Sequence, residues 1–445
     1  MGVRGKKCEP MEAFPQWIMI LIVVIVLARI TASLARRFDL PTVTIQLIIG
    51  ILLGPSLFNV MEIPIVLGTW GSPSPSPIHA VLKVLAEIGL IQLMFVAGLQ
   101  VDWRELKKIF RSSLSLGAWG FLLAAVSVTI LTRLFVGRWT EALALSAVVS
   151  ASSFGISVYH FSEMTILGSR VALMISGAAI LTGLLAILLM IASMATNYSV
   201  TFGAFKMVIA VSWFLGTLIM FFAVAYFLTS RFLKLSLKSG FQKRPKQILI
   251  GYLLLVASLY AWASMHFGSF AAVGVASLGG GLLALSNPEV KEKIAKGFGS
   301  ILASIPMGIL FMVIGMEVNL TATESSIIFL ALLIGIVSGS KLMGCWIATR
   351  KDNESPRERV LIMFGGLYQG EMGILIAAYL FSRGLVNPSQ FDMAIIAVVL
   401  LTIITPVAMK VAQIKFNIPV NVAPPFTGGG KRHRSGVVGT LQRRE

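Results

Sequence analysis

Long apolar runs, interrupted by clusters of glycine, proline and charge, set the pattern of this chain. A helical membrane span needs about 20 mostly apolar residues. Dividing the sequence at the interrupting clusters predicts thirteen spans, at 16–36, 42–58, 79–99, 113–134, 141–161, 168–194, 204–230, 247–265, 268–286, 298–317, 325–347, 358–382 and 389–413. The pattern therefore reads as an all-α polytopic membrane protein. The first run is too long and too poorly cleavable to be a signal peptide.

Composition agrees. Of 445 residues, 56% are hydrophobic and 13% charged, against about 45–50% and about 25% in soluble domains. A soluble globular protein is excluded. The net charge of +18 would suggest nucleic acid in a soluble chain, but these basic residues fall in short loops and no nucleic-acid motif accompanies them. Their distribution reports orientation instead. Of the 37 Lys and Arg, 27 lie on the side where odd-numbered spans end, 7 lie on the other side and 3 lie inside spans. The positive-inside rule then predicts an outside N-terminus, 1–15, and a cytoplasmic C-terminus.

Some features carry less. Cys8, Cys345 and four scattered His give neither a disulfide framework nor a metal set, and no cofactor is expected. The basic, Pro/Gly-rich stretch 421–445 reads as a disordered tail drawn to anionic lipid. Asn197-Tyr-Ser and Asn319-Leu-Thr are glycosylation-type triplets, short enough to arise by chance.

An internal repeat is more informative. Gly98-Leu-Gln-Val-Asp102 closes span 3 and Gly315-Met-Glu-Val-Asn319 closes span 10, 217 residues later. The same offset carries Ser150–Phe154, a polar interruption of span 5, onto Leu367–Glu371, a polar interruption of span 12. Seven spans separate the copies, an odd number, so the second copy is inverted. Inverted repeats with interrupted helices in equivalent places mark secondary transporters, whose substrate site lies where those helices break. Ser150, Ser152, Ser153 and Gly155 in one span, and Gly365, Gly366, Gln369, Gly370 and Gly373 in the other, combine poor helix formers with side chains that can satisfy freed backbone groups. Unwound backbone survives in a membrane only where protein or a wet cavity satisfies it.

Four stretches then carry a family resemblance. They are Gly50-Ile-Leu-Leu-Gly-Pro-Ser56; Leu85-Ala-Glu-Ile-Gly-Leu-Ile91 with Phe95 and Gly98-Leu99; Ile314-Gly-Met-Glu-Val-Asn-Leu320; and Gln369-Gly-Glu-Met372 with Thr405-Pro406. In order and spacing the chain resembles the cation:proton antiporter superfamily, in the branch of Kef-type potassium-efflux transporters and bacterial sodium/proton exchangers. The resemblance implies an inverted-repeat, sodium/proton-antiporter-like fold with two broken, crossing helices. It implies scaffold spans at 16–99 and 247–317, core spans at 113–194 and 325–413, and a linker span at 204–230. It further implies a homodimer in a bacterial inner or plasma membrane, with elevator-type movement of the core.

One part of the family pattern is missing. Aligning Gly177-Ala178-Ala179-Ile180 on it puts Thr182-Gly183 where an acidic pair binds cation and proton competitively. Span 5 has Ser152-Ser153 and no Asp. A Thr hydroxyl can coordinate a cation but does not titrate near neutral pH.

Ionisable residues deep in spans are functional candidates. Glu371 lies in the glycine-rich break of span 12, as a titrating group or as a cap for broken-helix amides. Lys341 stands on span 11, where exchangers of the superfamily carry a base that pairs with the span-6 acid. Without that acid it must lose its proton, find Glu371 or another acceptor, or hold an anion. Arg29 reads as a snorkelling residue, Lys83 and Glu87 as a local i,i+4 ion pair, and His160 as an interfacial polar residue.

The leading expectation is a monovalent cation (sodium or potassium)/proton antiporter with a remodelled site. In it Ser150, Ser152, Ser153 and Thr182 offer neutral oxygens, Glu371 titrates and Lys341 competes for it, and Gln369 is counted among the site residues. The alternatives are a small-anion transporter using Lys341 and a transport-inactive membrane sensor or subunit. An enzyme is not expected, since no nucleophile, base and orienting residue stand in a recognisable arrangement.

Overall fold

The computed structural model describes residues 16–38, 42–58, 77–100, 103–164, 168–194, 301–318, 327–350 and 354–415, with a few isolated positions besides. The spans expected at 204–230, 247–265 and 268–286, the segments 1–15 and 421–445, and both glycosylation-type triplets lie outside the described residues.

Among the described residues the regular structure is all helical. In chain order the helices are α1 (Gln16–Phe38), α2 (Thr42–Leu53), α3 (Pro77–Gln100), α4 (Trp103–Lys108), α5 (Phe110–Val136), α6 (Trp139–Ser150) and α7 (Phe154–Glu163). They continue with α8 (Arg170–Met194), α9 (Ile301–Met316), α10 (Ile327–Thr349), α11 (Pro356–Gly365), α12 (Glu371–Ser382) and α13 (Pro388–Lys415). Among the described residues, five segments are long and apolar enough to cross a membrane: α5, α6 and α7 taken together, α8, α10 and α13.

Local sequence sets the helix ends. At α11, the Ser355 hydroxyl accepts the Glu358 N–H and the Glu358 carboxylate accepts the Ser355 N–H, with Pro356 in the first turn. Two otherwise orphaned amides are thereby satisfied. At the other end of α5, Gly137 adopts φ 81° and its N–H returns to the Arg133 carbonyl at 3.1 Å, a glycine C-cap.

Two packing arrangements frame the site. In the first, α9 lies against α1, α2 and α3. Gly50 and Gly315 meet there backbone to backbone, so a Cβ on Gly315 would strike the Leu47 carbonyl and the Gly50 Cα. Small residues allow such close approach, which matters in lipid, where packing replaces the hydrophobic effect as the driving force. In the second, α5 to α8 and α10 to α13 share one large apolar core, to which α2, α3 and α9 also contribute residues such as Leu47, Leu93 and Phe311. The outer face of α5 exposes Leu122, Val126, Ile130 and Leu134 at four-residue intervals, a stripe suited to lipid.

Candidate functional site

The core centres on two interrupted helices. α6 stops at Ser150 and α7 begins at Phe154, leaving Ala151–Ser153 non-helical. α11 stops at Gly365 and α12 begins at Glu371. The restarts, Phe154 and Glu371, stand 217 residues apart, the offset of the sequence repeat. Gly370 precedes the second restart with φ 147°, a conformation open essentially to glycine alone, and a Cβ there would also strike Ile156. Gly373, one turn into α12, approaches the Val148 carbonyl of α6.

Unwound backbone leaves unpaired N–H and C=O groups, and each unsatisfied one is expensive in an apolar interior. Here neighbouring segments take them up. The Ser152 N–H donates to Thr182 Oγ1 of α8 at 3.2 Å, and the Thr182 hydroxyl donates onward to the Ala179 carbonyl at 3.0 Å. The Ser153 N–H donates to the Tyr368 carbonyl at 3.1 Å, joining the two breaks directly. Gln369 Nε2 donates to the Val149 carbonyl at 2.5 Å. Ser153 Oγ accepts the Ile156 N–H at 3.1 Å as the N-cap of α7.

Two charge-bearing side chains complete the arrangement from opposite ends. Lys341 Nζ, on α10 and fully buried, donates to the Ala151 carbonyl and to Ser152 Oγ, each at 3.1 Å. It thus meets the carbonyl end of α6. The Glu371 carboxylate, 2% exposed, accepts from the Gly155 N–H at 2.9 Å and from the Ser153 hydroxyl. It thus meets the amide end of α7. Helix ends carry partial charges, positive at the N-terminus and negative at the C-terminus, so a base at the α6 C-terminus and an acid at the α7 N-terminus each complement the end they touch.

No ion pair joins Lys341 and Glu371, and each is engaged by a different end of the same break. All seven expected site residues are buried. Lys341, Ser152 and Thr182 form one hydrogen-bonded set and Ser153 and Glu371 another, while Gln369 reaches the Val149 carbonyl. Ser150 Oγ and Gln369 Oε1 are buried without a hydrogen-bond partner, and they flank the Gln369–Val149 contact. A small cavity with about 20 Å³ of room for a water-sized particle lies beside Ser152, Thr182, Cys345 and Tyr368.

Sequence reasoning missed the backbone groups that do much of the work, the carbonyls of Val149, Ala151 and Tyr368 and the amide of Gly155. Residue type does not reveal which carbonyls a broken helix frees. It also missed Tyr368, which is fully buried and hydrogen-bonds His160 Nδ1. His160 is buried, 2% exposed, and enclosed with Phe161, whose ring meets that of Tyr368 edge-on at 5.5 Å. Lys83 and Glu87 are both exposed on α3 without an ion pair between them, and Arg29 is exposed on α1.

Known proteins share this architecture. The sodium proton antiporter MjNhaP1 of Methanocaldococcus jannaschii superposes with a TM-score of 0.65 over 90% of this chain and 97% of its own, at 17% identity. A Na(+)/H(+) antiporter of Enterococcus hirae is 25% identical over 398 residues, covering 89% of this chain and 97% of the relative. The Na(+)/H(+)-K(+) antiporter GerN of Bacillus cereus is 24% identical over 394 residues, covering 88% and 94%. A profile of the transmembrane sodium/hydrogen exchanger family matches residues 22–411. With that match spanning nearly all of the described helices, the chain belongs to the sodium/hydrogen exchanger family.

Proposed function

We propose that this protein is a secondary transporter exchanging a monovalent cation, sodium or potassium, for protons across the membrane that holds it. Relatives named as Na(+)/H(+) and Na(+)/H(+)-K(+) antiporters support that reading. The observation that carries it is the pairing of titratable groups with a broken helix: Lys341 on the carbonyl end of α6 and Glu371 on the amide end of α7, both buried. An arriving cation is attracted to the oxygens that hold the lysine ammonium, namely the Ala151 carbonyl and Ser152 Oγ, together with the unpartnered Ser150 Oγ and Gln369 Oε1. Occupancy by a cation then disfavours the ammonium and favours the carboxylate, so cation entry drives a proton off one of them. Thr182 replaces the acidic pair of the superfamily pattern and, in this account, holds the Ser152 backbone in place.

The scheme includes thirteen spans with the N-terminus outside, and two bundles, a scaffold of α1–α3 and α9 and a core of α5–α8 and α10–α13. The core moves as an elevator within a homodimer. A transported anion fits less well, since both contacts of Lys341 are acceptors and Glu371 already occupies the α7 amides an anion would seek.

The test is flux in proteoliposomes. An imposed sodium or potassium gradient is expected to move protons in the opposite direction, and Glu371→Gln is expected to abolish that coupling. Pure protein that moves neither cation, yet recovers with a stoichiometric partner, would instead identify a transport-inactive subunit.

A further inference from the structure

Away from the crossing, a second polar cluster lies where α2, α7 and α13 meet. Glu163, the last residue of α7, accepts the backbone N–H of Thr42, the first residue of α2, at 3.3 Å. The Tyr159 hydroxyl, one turn back on α7, and Lys410 of α13 face the same carboxylate. His160 faces Lys410 and bonds Tyr368 from the connection between α11 and α12. Glu163 is exposed, whereas Phe154–Val158, His160 and Phe161 of the same helix are buried.

The two faces of α7 meet different neighbours. His160 and Phe161 pack on Tyr368. Tyr159 lies over Phe311 of α9, ring centroids 6.3 Å apart, and Gly155 closes against Leu93 and Met94 of α3. These contacts with α3 and α9 are apolar and non-directional, so they tolerate sliding. The Glu163–Thr42 contact is directional and carries charge.

We propose that Glu163 is a proton-released latch, which as a carboxylate holds the first turn of α2 to α7 and on protonation frees the core to move against the scaffold. This rests on the two-bundle transport reading above. An ionised acceptor makes a hydrogen bond roughly twice as strong as a neutral one, and a negative charge is favoured at a helix N-terminus. When the carboxyl takes up a proton the charge contribution is lost and the hydrogen bond falls to about half its strength, so the hold is full while Glu163 is ionised and weakens as the pH falls. Solvent reaches the group from the side where α1, α7 and α13 end, which the loop charges assign to the cytoplasm. Acidification there is expected to speed transport.

Hydrogen–deuterium exchange of a peptide containing Thr42, corrected for the intrinsic rate, reads the latch without any transport. Wild-type protein is expected to protect that amide at alkaline pH and lose protection on mild acidification. Glu163→Gln is expected to exchange about 5- to 10-fold faster at alkaline pH, the weakening of a charged hydrogen bond to a neutral one, with little pH dependence left. Glu163→Asp, which keeps the charge, is expected to retain the pH dependence, separating the latch from general misfolding. In proteoliposomes, Glu163→Gln is expected to flatten the dependence of flux on cytoplasmic-side pH. Unchanged Thr42 exchange in Glu163→Gln overturns the latch, whatever the flux. Wild-type protein that moves no cation overturns the transport reading, and that result is seen separately in the flux measurement.

Discussion

Glu371 accepts the backbone N–H of Gly155 at 2.9 Å, so the acid of one interrupted span caps the restarted helix of the other. Glu371 thus places a titratable carboxyl at the contact that joins the two interrupted spans. Charge-neutral replacement separates the two roles.

Glu371→Gln keeps the shape but leaves an amide where Ser153 and Gly155 require an acceptor. We expect a loss of about 1–3 kcal/mol, the scale of one unsatisfied buried group, read as a lower Tm in detergent. Cation-driven proton flux is expected to disappear. A protein with normal Tm and normal coupling would remove Glu371 from the mechanism.

Lys341→Arg tests titration directly. Lysine can give up its proton when buried, whereas arginine stays charged and is bulkier. Lys341→Arg is therefore expected to stop exchange and Lys341→Met to leave a slower flux with an altered pH profile. The two are compared at matched protein amounts in proteoliposomes; exchange by Lys341→Arg at the wild-type rate would show that the proton is carried elsewhere.

Gly315→Ala should separate α2 from α9, because the added methyl meets the backbone of Leu47 and Gly50. Overpacking of this kind costs about 1–3 kcal/mol. Gly335, on the exposed side of α10, has nothing within 4 Å of an added Cβ. Gly335→Ala is expected to be neutral or to stabilise by up to about 1 kcal/mol through helix propensity. Thermal unfolding of both variants in one detergent checks the contrast.

Gly370→Ala forces a side chain into φ 147° and against Ile156. Strain of this kind costs about 1–3 kcal/mol. The expected result is reduced yield of folded protein by size-exclusion profile and little flux from what remains, while Gly384→Ala, at φ 67° with open space around it, is expected to cost about 1–2 kcal/mol from the left-handed backbone alone and to keep its flux.

Much of this was legible along the chain. Apolar runs long enough to span a bilayer determined the membrane class, because lipid leaves a chain with few alternatives to the helix. The 217-residue offset located the two interruptions, because serine and glycine clusters are poor helix formers wherever they fall. The burial of Glu371 and Lys341 followed from their place deep in apolar runs. Tertiary structure alone decided what each of them touches. Residue type shows that Lys341 needs an acceptor, but only the packing of α10 beside α6 supplies the Ala151 carbonyl and Ser152 Oγ in place of Glu371. Likewise, the partner that draws His160 inside, Tyr368, comes from a segment 208 residues away. Hydrophobic pattern is a local property and survives in one dimension. Hydrogen-bond partners depend on which freed backbone groups the folded chain brings within 3 Å or so of a donor or acceptor.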